Sequence, residues 1–427
     1  MPNSILIRGG HLIDPAQSID APHDLLIEDG RIAAVSAPGE VKGAKETIDA
    51  RGLVVCPGLI DLHVHLREPG QAHKETIKSG TLAAAAGGFT SVCCMPNTTP
   101  VNDSAAITRW IQDPERGAVV NVFPVAAATI GSAGEKLSFY PDLQDAGAVA
   151  VSDDGRPILD GAIMGDALRH AARLNMPVIQ HAEDTRLSGG ASMNQGPWSF
   201  KLGLRGQPAE SEWQLIERDI NLAYMENARL HVAHISTEMG VEMVRRGKKS
   251  GVAVTAEACP HHFIFTDANC ADYETVYKMN PPLRTDADRE ALLRGIEDGT
   301  IDAIATDHAP HAIFEKEVEF DKAAFGITGL EVALGLAITH LHRGRKLPLT
   351  RIVELMSTNP ARIVNLEGRG TLAKGSIADV TVFDPGKRWI YDVTKTRSRS
   401  RNTPYSGAQL YGKPLYTFVA GNVVYKA

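Results

Sequence analysis

Cysteine is scarce in this sequence, and the few that occur follow no paired pattern. Five cysteines are spread over 427 residues, and no two form a CxxC motif of the kind that holds zinc or cycles between thiol and disulfide. Cys93 and Cys94 are adjacent inside an apolar run, which favours buried free thiols over a soft-metal or nucleophilic role. Any metal site is therefore expected among histidines and carboxylates.

Long hydrophobic runs and an excess of positive charge are also missing. No apolar stretch approaches the roughly 20 residues that a membrane span needs, and the N-terminus MPNSILIRGG lacks the basic start and apolar core of a secretory signal. The net charge of −7 gives no field that would recruit nucleic acid. We interpret the basic patch at residues 395–401 as a solvated loop, with nucleic-acid contact as the alternative. The expectation is a cytoplasmic enzyme with no membrane or nucleic-acid partner.

Both ends of the chain are rich in short strand patterns. Within residues 1–56, runs of β-forming residues are separated by turns that contain glycine and aspartate, and the last 50 residues have the same texture. A length of 427 residues suits one large domain plus a smaller one. We therefore predict a small β-sandwich domain built from residues 1–56 and 369–427.

The middle of the chain, residues 57–368, alternates apolar strand patterns with helical stretches. This alternation indicates a parallel sheet with crossover helices. Eight candidate strands spread over about 250 residues match the size of a (β/α)8 TIM-like barrel, so the predicted fold class is α/β. The predicted strands are 57–66, 89–95, 119–126, 148–151, 177–179, 230–233, 252–255 and 301–305.

The most informative stretch is PGLIDLHVHLREPG, residues 57–70. Its alternation is that of a strand, which would place Asp61, His63 and His65 on one face. Histidines two residues apart on a strand lie roughly 7 Å apart at Cα, so both rings can converge on one metal ion. A pair of packed or solvated histidines is the alternative.

Further polar clusters follow other predicted strands: SDDG at 152–155, QHAE at 180–183, AHIS at 233–236 and TDHAPH at 306–311. In a barrel these clusters meet at the C-terminal mouth, where active sites of this fold are built. A single histidine after a strand is more often a satisfied core residue. Four imidazoles and two carboxylates together suit divalent metals, and two ions would need a shared carboxylate.

Together, PGLIDLHVHLREPG, MPNT, SDDG, AHIS, KMNPPLR and ATDHAPH resemble the dihydroorotase family of the amidohydrolase superfamily, in its bacterial type with SDDG. The HxH motif alone places the chain only in the superfamily. Arg67, Asn97 and MNPPLR narrow the resemblance to dihydroorotase, and the similarity covers nearly the whole chain. It implies Zn2+ as cofactor, one or two ions per subunit.

The resemblance also assigns the ligands. It gives His63, His65 and Asp307 to a first metal and His181 and His234 to a second. Related hydantoinases bridge the two metals with a carboxylated lysine, and here the matching segment offers an aspartate. The motif favours Asp154 over Asp153 as the bridge, although the residues alone do not decide between them.

The family's substrate contacts match a second set of positions. Arg67, Asn97 and His311 match the residues that bind the substrate carboxylate, and the remaining matches are His65, Asn280, Phe325 and Gly326. His261 and His262 follow another strand near the mouth, and they either touch substrate or support the site from behind.

The implied reaction is the reversible cyclisation of N-carbamoyl-L-aspartate to L-dihydroorotate in pyrimidine biosynthesis. A cyclic amide is a poor electrophile and water is a poor nucleophile. A metal ion polarises the carbonyl of the amide and lowers the pKa of the bound water. Asp307 would act as the general acid and base. The alternatives are a hydantoinase or allantoinase and a non-catalytic dihydroorotase-like subunit of a transcarbamoylase complex. A homodimer is the expected assembly, and aspartate transcarbamoylase is the partner that the resemblance suggests.

Overall fold

The N-terminal segment forms the first part of a mixed β-sheet. The computed structural model describes residues 4–41 and 44–427, so residues 1–3 and 42–43 of the predicted small domain lie outside the described part. The pairing of β1 with β2 shifts register between Ile7 and Gly10, and such a bulge bends a strand. The strands are β1 (Ser4–Asp14), β2 (Ile19–Glu28), β3 (Arg31–Ser36), β4 (Glu46–Asp49) and β5 (Val54–Pro57).

The middle of the chain forms a parallel barrel in which each strand pairs with the next, as predicted. Every residue of the first two barrel strands is buried, which is typical of parallel strands covered on both faces. The barrel strands are β6 (Leu59–Val64), β7 (Phe89–Cys94), β8 (Asn121–Ala126), β9 (Ala150–Val151), β10 (Val178–Gln180), β13 (Leu230–Val232), β14 (Val254–Ala258) and β15 (Ala303–Ile304). A separate parallel pair, β11 (Met193–Asn194) and β12 (Gly206–Gln207), lies in a connecting loop.

The residues just after β15 close the barrel. His308 forms a parallel bridge with Val64 at the end of β6, and the backbone N–H of His65 donates to the carbonyl of His308 at 2.9 Å. Asp61 ties the same two segments together, because its carboxylate accepts hydrogen bonds from the backbone N–H groups of His63 and Thr306. The first and last barrel strands therefore meet directly beneath the predicted metal ligands.

Helices connect the barrel strands. The first begins at Ile77 because Thr76 caps it, accepting from the backbone N–H of Ser79. It ends at Gly87, where a Cβ would lie 2.1 Å from the carbonyl oxygen of Leu330. The helices are α1 (Ile77–Ala86), α2 (Ala105–Ile111), α3 (Tyr140–Asp145), α4 (Gly161–Arg173), α5 (Thr185–Ser188), α6 (Pro197–Leu202), α7 (Glu210–Glu226), α8 (Glu238–Lys249), α9 (Pro260–Ile264), α10 (Asp286–Asp298), α11 (Ile313–Lys316), α12 (Ala333–Leu336), α13 (Leu349–Val353) and α14 (Asn359–Ile363). No helix in the described part of the chain is long and apolar enough to cross a membrane.

The C-terminal strands return to the sheet of the N-terminus. They are β16 (Val380–Ile390), β17 (Gln409–Val419) and β18 (Asn422–Lys426). β16 pairs antiparallel with β5, and the whole forms one continuous mixed sheet in the order β18-β17-β16-β5-β1-β2-β3, with β4 beside β1. The region predicted as a small β-sandwich is thus a mixed sheet built from both ends of the chain, with register irregularities in its long strands and its own hydrophobic cluster.

Exposed and buried side chains alternate along the basic patch at residues 395–401. Its lysine and arginine side chains are exposed, as expected for a solvated loop. The serines between them are buried: Ser398 donates to the carboxylate of Glu75, and Ser400 donates to the carbonyl of Lys74 at 2.6 Å. The loop is therefore attached to the entrance of the barrel through its small polar residues.

Candidate metal centre and substrate cavity

A cavity of about 290 Å³ opens at the carboxyl ends of the barrel strands. Eleven of the twelve residues predicted for the site line it, and the twelfth, His63, lies beneath with a side chain that is 1% exposed. The lining residues are His65, Arg67, Asn97, Asp154, Gly155, His181, His234, Asn280, Asp307, Ala309, His311, Phe325 and Gly326. The fold thus brings together side chains from across 264 positions of the sequence, from number 63 to number 326.

His63 presents one ring nitrogen to the cluster and turns the other to a buried carboxylate. Nδ1 lies 3.0 Å from Oε1 of Glu257, so the ring donates its proton there. Nε2 is buried and has no hydrogen-bond partner within the described residues; it lies 3.4 Å from Oδ1 of Asp154 and 3.7 Å from Oδ1 of Asp307. A bare nitrogen lone pair between two carboxylates is the environment of a metal ligand.

His65 is oriented in the same way by an amide. Its Nδ1 lies 2.8 Å from Oδ1 of Asn97, and its Nε2 lies 3.1 Å from Oδ1 of Asp307. The Nδ2 group of Asn97 donates to Oδ2 of Asp154 at 3.0 Å. Asn97, predicted to hold substrate, therefore also connects a histidine and a carboxylate of the cluster.

Asp154 belongs to two groups of candidate ligands. Its carboxylate lies within 4.8 Å of the ring nitrogens of His63 and His65, and equally of those of His181 and His234. Although burial opposes ionisation, the charges and hydrogen bonds of these histidines hold the pKa of Asp154 well below its usual range. Asp153 points elsewhere, because its carboxylate accepts from the backbone N–H and the hydroxyl of Thr129.

His181 and His234 face each other on the opposite side of Asp154. Nδ1 of His181 lies 2.9 Å from Nε2 of His234, and the two nitrogens lie 3.7 and 3.8 Å from Oδ1 of Asp154. The second nitrogen of His181, Nε2, lies 3.0 Å from Oε2 of Glu183. The side chains of both histidines are at most 4% exposed.

The backbone is strained at three residues of the site. Arg67, His234 and Asp307 adopt φ values of 62°, 30° and 45°, a region that residues with a side chain rarely occupy. Such conformations persist only where the surrounding structure holds them. The strain places each side chain at the mouth just beyond the end of its strand.

Arg67 is a buried cation with no carboxylate within salt-bridge distance among residues 4–41 and 44–427. Its Nε donates to the carbonyl of Pro310 at 3.0 Å, and Nη2 lies 3.3 Å from Nε2 of His311. Burial lowers the pKa of Arg67 to about 10, which still leaves the guanidinium charged at neutral pH. The neighbouring carboxylate of Glu68 accepts from the backbone N–H of Ile77 at the start of α1 instead.

His311 completes the polar end of the cavity. Its Nε2 lies 2.7 Å from the carbonyl oxygen of Phe325, so this nitrogen carries the proton. Burial, together with the charge of Arg67, lowers the pKa of His311 to about 3, so the ring is neutral at neutral pH. The charge at this end of the cavity is then that of the buried Arg67 guanidinium, which suits an anionic ligand.

The donor set fits one or two divalent metal ions. Imidazole nitrogens and carboxylate oxygens are the ligands that zinc and similar ions prefer, and Asp154 lies where two ions could share it. The unpartnered Nε2 of His63 also supports a metal ligand at this position.

His261 and His262 are buried outside the cavity lining, and Nε2 of His262 donates to the carbonyl of Pro281 at 2.9 Å.

Two carboxylates of the site were not predicted. Glu257, within β14, binds His63 and also lies 3.0 Å from Nε2 of His231. Although burial opposes ionisation, these hydrogen bonds lower the pKa of Glu257 to about 2. In the sequence, the sign of a functional role for Glu257 was a charged residue inside an apolar strand. For Glu183 the sign was weaker, because it only stands two residues after His181.

The fold and the site define the class of the protein, a metal-dependent cyclic amidohydrolase. A "Dihydro-orotase-like" family model matches residues 52–239, and an "Amidohydrolase family" model matches residues 263–425. The dihydroorotase of Solibacter usitatus is 51% identical over 98% of this chain and 97% of that protein. The dihydroorotase of Syntrophus aciditrophicus is 48% identical over 99% of each. The chain belongs to the dihydroorotase family.

Solved structures agree on the fold. The L-hydantoinase (dihydropyrimidinase) from Arthrobacter aurescens superposes with a TM-score of 0.90 at 26% identity, covering 100% of this chain and 96% of that one. A dihydropyrimidinase from Brevibacillus agri gives a TM-score of 0.85 at 23% identity, covering 99% of this chain and 95% of that one, a likeness of fold alone.

Proposed function

We propose that this protein catalyses the reversible cyclisation of N-carbamoyl-L-aspartate to L-dihydroorotate, a step of pyrimidine biosynthesis. The observation that carries the proposal is Arg67, a buried guanidinium that has no carboxylate partner within the described part of the chain and faces a cavity with a metal-type donor set. A substrate carboxylate would complete the charge pair that the protein leaves open.

The proposed cofactor is Zn2+, one or two ions per subunit. His63, His65 and Asp307 would hold the first ion, and His181 and His234 the second. Asp154 would bridge them, which its place in both donor groups supports. When bound, a divalent ion polarises the substrate carbonyl and lowers the pKa of an attacking water molecule.

The chain's own residues divide the remaining work. Asp307 would accept the proton of the attacking water and return it to the leaving ring nitrogen, and the reverse transfer serves ring closure. Although burial opposes ionisation, the contact with His65 and the neighbouring imidazoles hold the pKa of Asp307 below its usual range, so the residue starts as a base. Arg67, Asn97 and His311 would bind the carboxylate. His65, Asn280, Phe325 and Gly326 complete the proposed substrate contacts.

A hydantoinase or allantoinase would use the same metals on a ring without this carboxylate, and the buried Arg67 favours dihydroorotase.

The proposed assembly is a homodimer, with aspartate transcarbamoylase as a candidate partner and the cytoplasm as the proposed location. A purely non-catalytic subunit would not need the donors that surround Asp154.

Two rings that differ only in the carboxylate test the proposal. Dihydroorotate carries it and dihydrouracil does not, so Arg67→Met should lower kcat/KM for dihydroorotate alone. Loss of one member of a buried charged pair costs about 2–5 kcal/mol, roughly 30- to 4,000-fold. Arg67→Lys should also be impaired, because lysine keeps the charge but not the planar fork.

The exposed Arg169, which pairs with Glu226 on the barrel surface, provides the matched control. Arg169→Met removes the same charge and should leave the preference between the two rings unchanged. If folded, metal-loaded Arg67→Met protein keeps the wild-type preference, the guanidinium does not bind the carboxylate and the proposal loses its main support.

A further inference from the structure

We infer that Glu183 is a positioning residue that couples metal binding to substrate recognition. Its carboxylate sets the orientation of both the candidate metal ligand His181 and the cavity amide Asn280. The part of this inference that concerns substrate recognition rests on the proposed function, whereas the part that concerns metal binding is independent of it.

Three donors converge on the Glu183 carboxylate. Nε2 of His181 lies 3.0 Å from Oε2, and Nδ2 of Asn280 donates to the same oxygen at 2.7 Å. The hydroxyl of Ser188 donates to Oε1. The side chain is 12% exposed, so the protein supplies most of its surroundings. The carboxylate therefore accepts hydrogen bonds from three side chains at once.

The first consequence concerns the tautomer of His181. A proton on Nε2 that is donated to Glu183 leaves the lone pair on Nδ1. That nitrogen faces His234 at 2.9 Å and Asp154 at 3.7 Å, which is the side of the metal-type donors. Without the carboxylate, the ring could take the other tautomer and turn a proton toward the cluster.

The second consequence concerns the amide of Asn280. Only one of its two orientations places Nδ2 against Glu183, because the flipped amide would set two oxygens against each other. The favoured orientation leaves Oδ1 buried and without a hydrogen-bond partner among the described residues. Since Asn280 lines the cavity, this oxygen is an acceptor for a ligand N–H, as found in a cyclic amide or a carbamoyl group.

Glu257 offers an internal comparison. It also lies 3.0 Å from a candidate metal ligand, His63, but its other oxygen lies 3.0 Å from the buried His231 and it does not line the cavity. Glu257 should therefore affect metal binding only, whereas Glu183 should affect both metal and substrate.

The experiment uses Glu183→Met, its rescue variant Glu183→Gln, and Glu257→Met, each also in an Asn280→Ala background. The dissociation constant of Zn2+ is measured by chelator competition on metal-stripped protein, and KM and kcat for dihydroorotate at saturating Zn2+. Glu183→Met should weaken Zn2+ binding about 10- to 100-fold. It should also raise KM by about tenfold, in line with the loss of one hydrogen bond to substrate.

The Asn280→Ala background separates the two effects. There Glu183→Met should still weaken Zn2+ binding but no longer raise KM, because the amide that it orients is gone. Glu183→Gln retains an acceptor oxygen for both neighbours and should recover most of each loss. Glu257→Met should weaken Zn2+ binding and leave KM at saturating Zn2+ unchanged.

An equal rise of KM in both backgrounds, or unchanged Zn2+ binding in folded Glu183→Met protein, would overturn the coupling. Failure of the proposed function looks different: the wild-type protein would not turn over dihydroorotate, while the Zn2+ measurements would still report on Glu183 and Glu257.

Discussion

At the scale of single residues, Asp307 carries the proton transfer of the proposed reaction. Its Oδ1 lies 3.1 Å from Nε2 of His65 and 3.7 Å from Nε2 of His63, so it is both a base and a candidate ligand. We expect Asp307→Asn to reduce ring opening and ring closure together, by about 10²- to 10⁴-fold, because one group moves the proton each way.

Rates in both directions at one pH, with metal content determined on the same preparation, would check this. Asp153→Asn is the matched control, since Asp153 is buried nearby but turned toward Thr129. Retention of one direction in metal-loaded Asp307→Asn protein would contradict a shared acid–base role.

Local patterns predicted those site residues whose signals lie close together in the sequence. His63 and His65 stand on one strand, and the motif around Arg67 follows directly. Glu257 was missed because its partner His63 is 194 positions away, so only the closed barrel brings them together. Likewise, the choice between Asp153 and Asp154 depends on the direction of each side chain in the folded protein. The carboxylate of Asp153 is turned away from the cluster, because it accepts a hydrogen bond from Thr129.

At the scale of elements, the short helix α11 holds part of the cavity wall through one buried lysine. The Nζ group of Lys316 donates to the carbonyls of Lys278, Ala324 and Gly326 at 3.3, 2.7 and 3.2 Å. Burial, together with the charge of Lys278, lowers the pKa of Lys316 to about 7. This lysine therefore fixes the backbone next to the proposed substrate contacts Phe325 and Gly326.

The lowered pKa predicts how stability changes with pH. Above pH 7 the folded protein has released the Lys316 proton, whereas the unfolded chain keeps it up to the usual value of 10.5. Unfolding therefore takes up a proton in this window, and this residue's contribution to the free energy of unfolding rises with pH, by up to about 1.4 kcal/mol per unit.

Urea unfolding of wild type and Lys316→Met between pH 7 and 9.5 isolates this contribution. We expect the wild type to gain stability relative to the variant across that range, because methionine has no proton to exchange. A constant difference between the two would mean that the three carbonyls keep the ammonium charged.

Sequence patterns predicted the elements better than their ends. All eight barrel strands occur, because short apolar runs that alternate with helical stretches are the pattern of buried parallel strands. However, β15 contains two residues where five were predicted. β4 was missed because its segment ETID is mostly exposed and polar, and only pairing with β1 makes it a strand. The domain boundaries at 56/57 and 368/369 stay a prediction, since continuous sheets do not demonstrate independent folding.

At the scale of the whole molecule, a bound metal would join distant parts of the barrel. The candidate ligands lie in or just after β6, β9, β10, β13 and β15, so an ion would cross-link strands from residue 59 to residue 304. We expect prolonged chelation to abolish activity and to lower the melting temperature. At a free metal concentration of 1,000 Kd, the stabilisation lost would be about 4 kcal/mol.

Calorimetry and activity assays on chelated and Zn2+-restored protein test this together. A double variant of His181 and His234 to alanine should melt near the chelated wild type and respond less to added Zn2+. Full turnover by demonstrably metal-free protein would refute the metal-dependent mechanism.

The pairing of β5 with β16 has a consequence for biosynthesis. Cys56 and Thr381 face each other across this pair, although 325 positions separate them. At about 5–20 residues per second, a ribosome needs roughly 15 to 65 s to supply the second strand after the first. During that interval the nascent chain exposes the apolar strand β5, which is buried in the folded protein, with one edge unpaired. Holdase chaperones are therefore expected to engage the N-terminal segment until translation is almost complete.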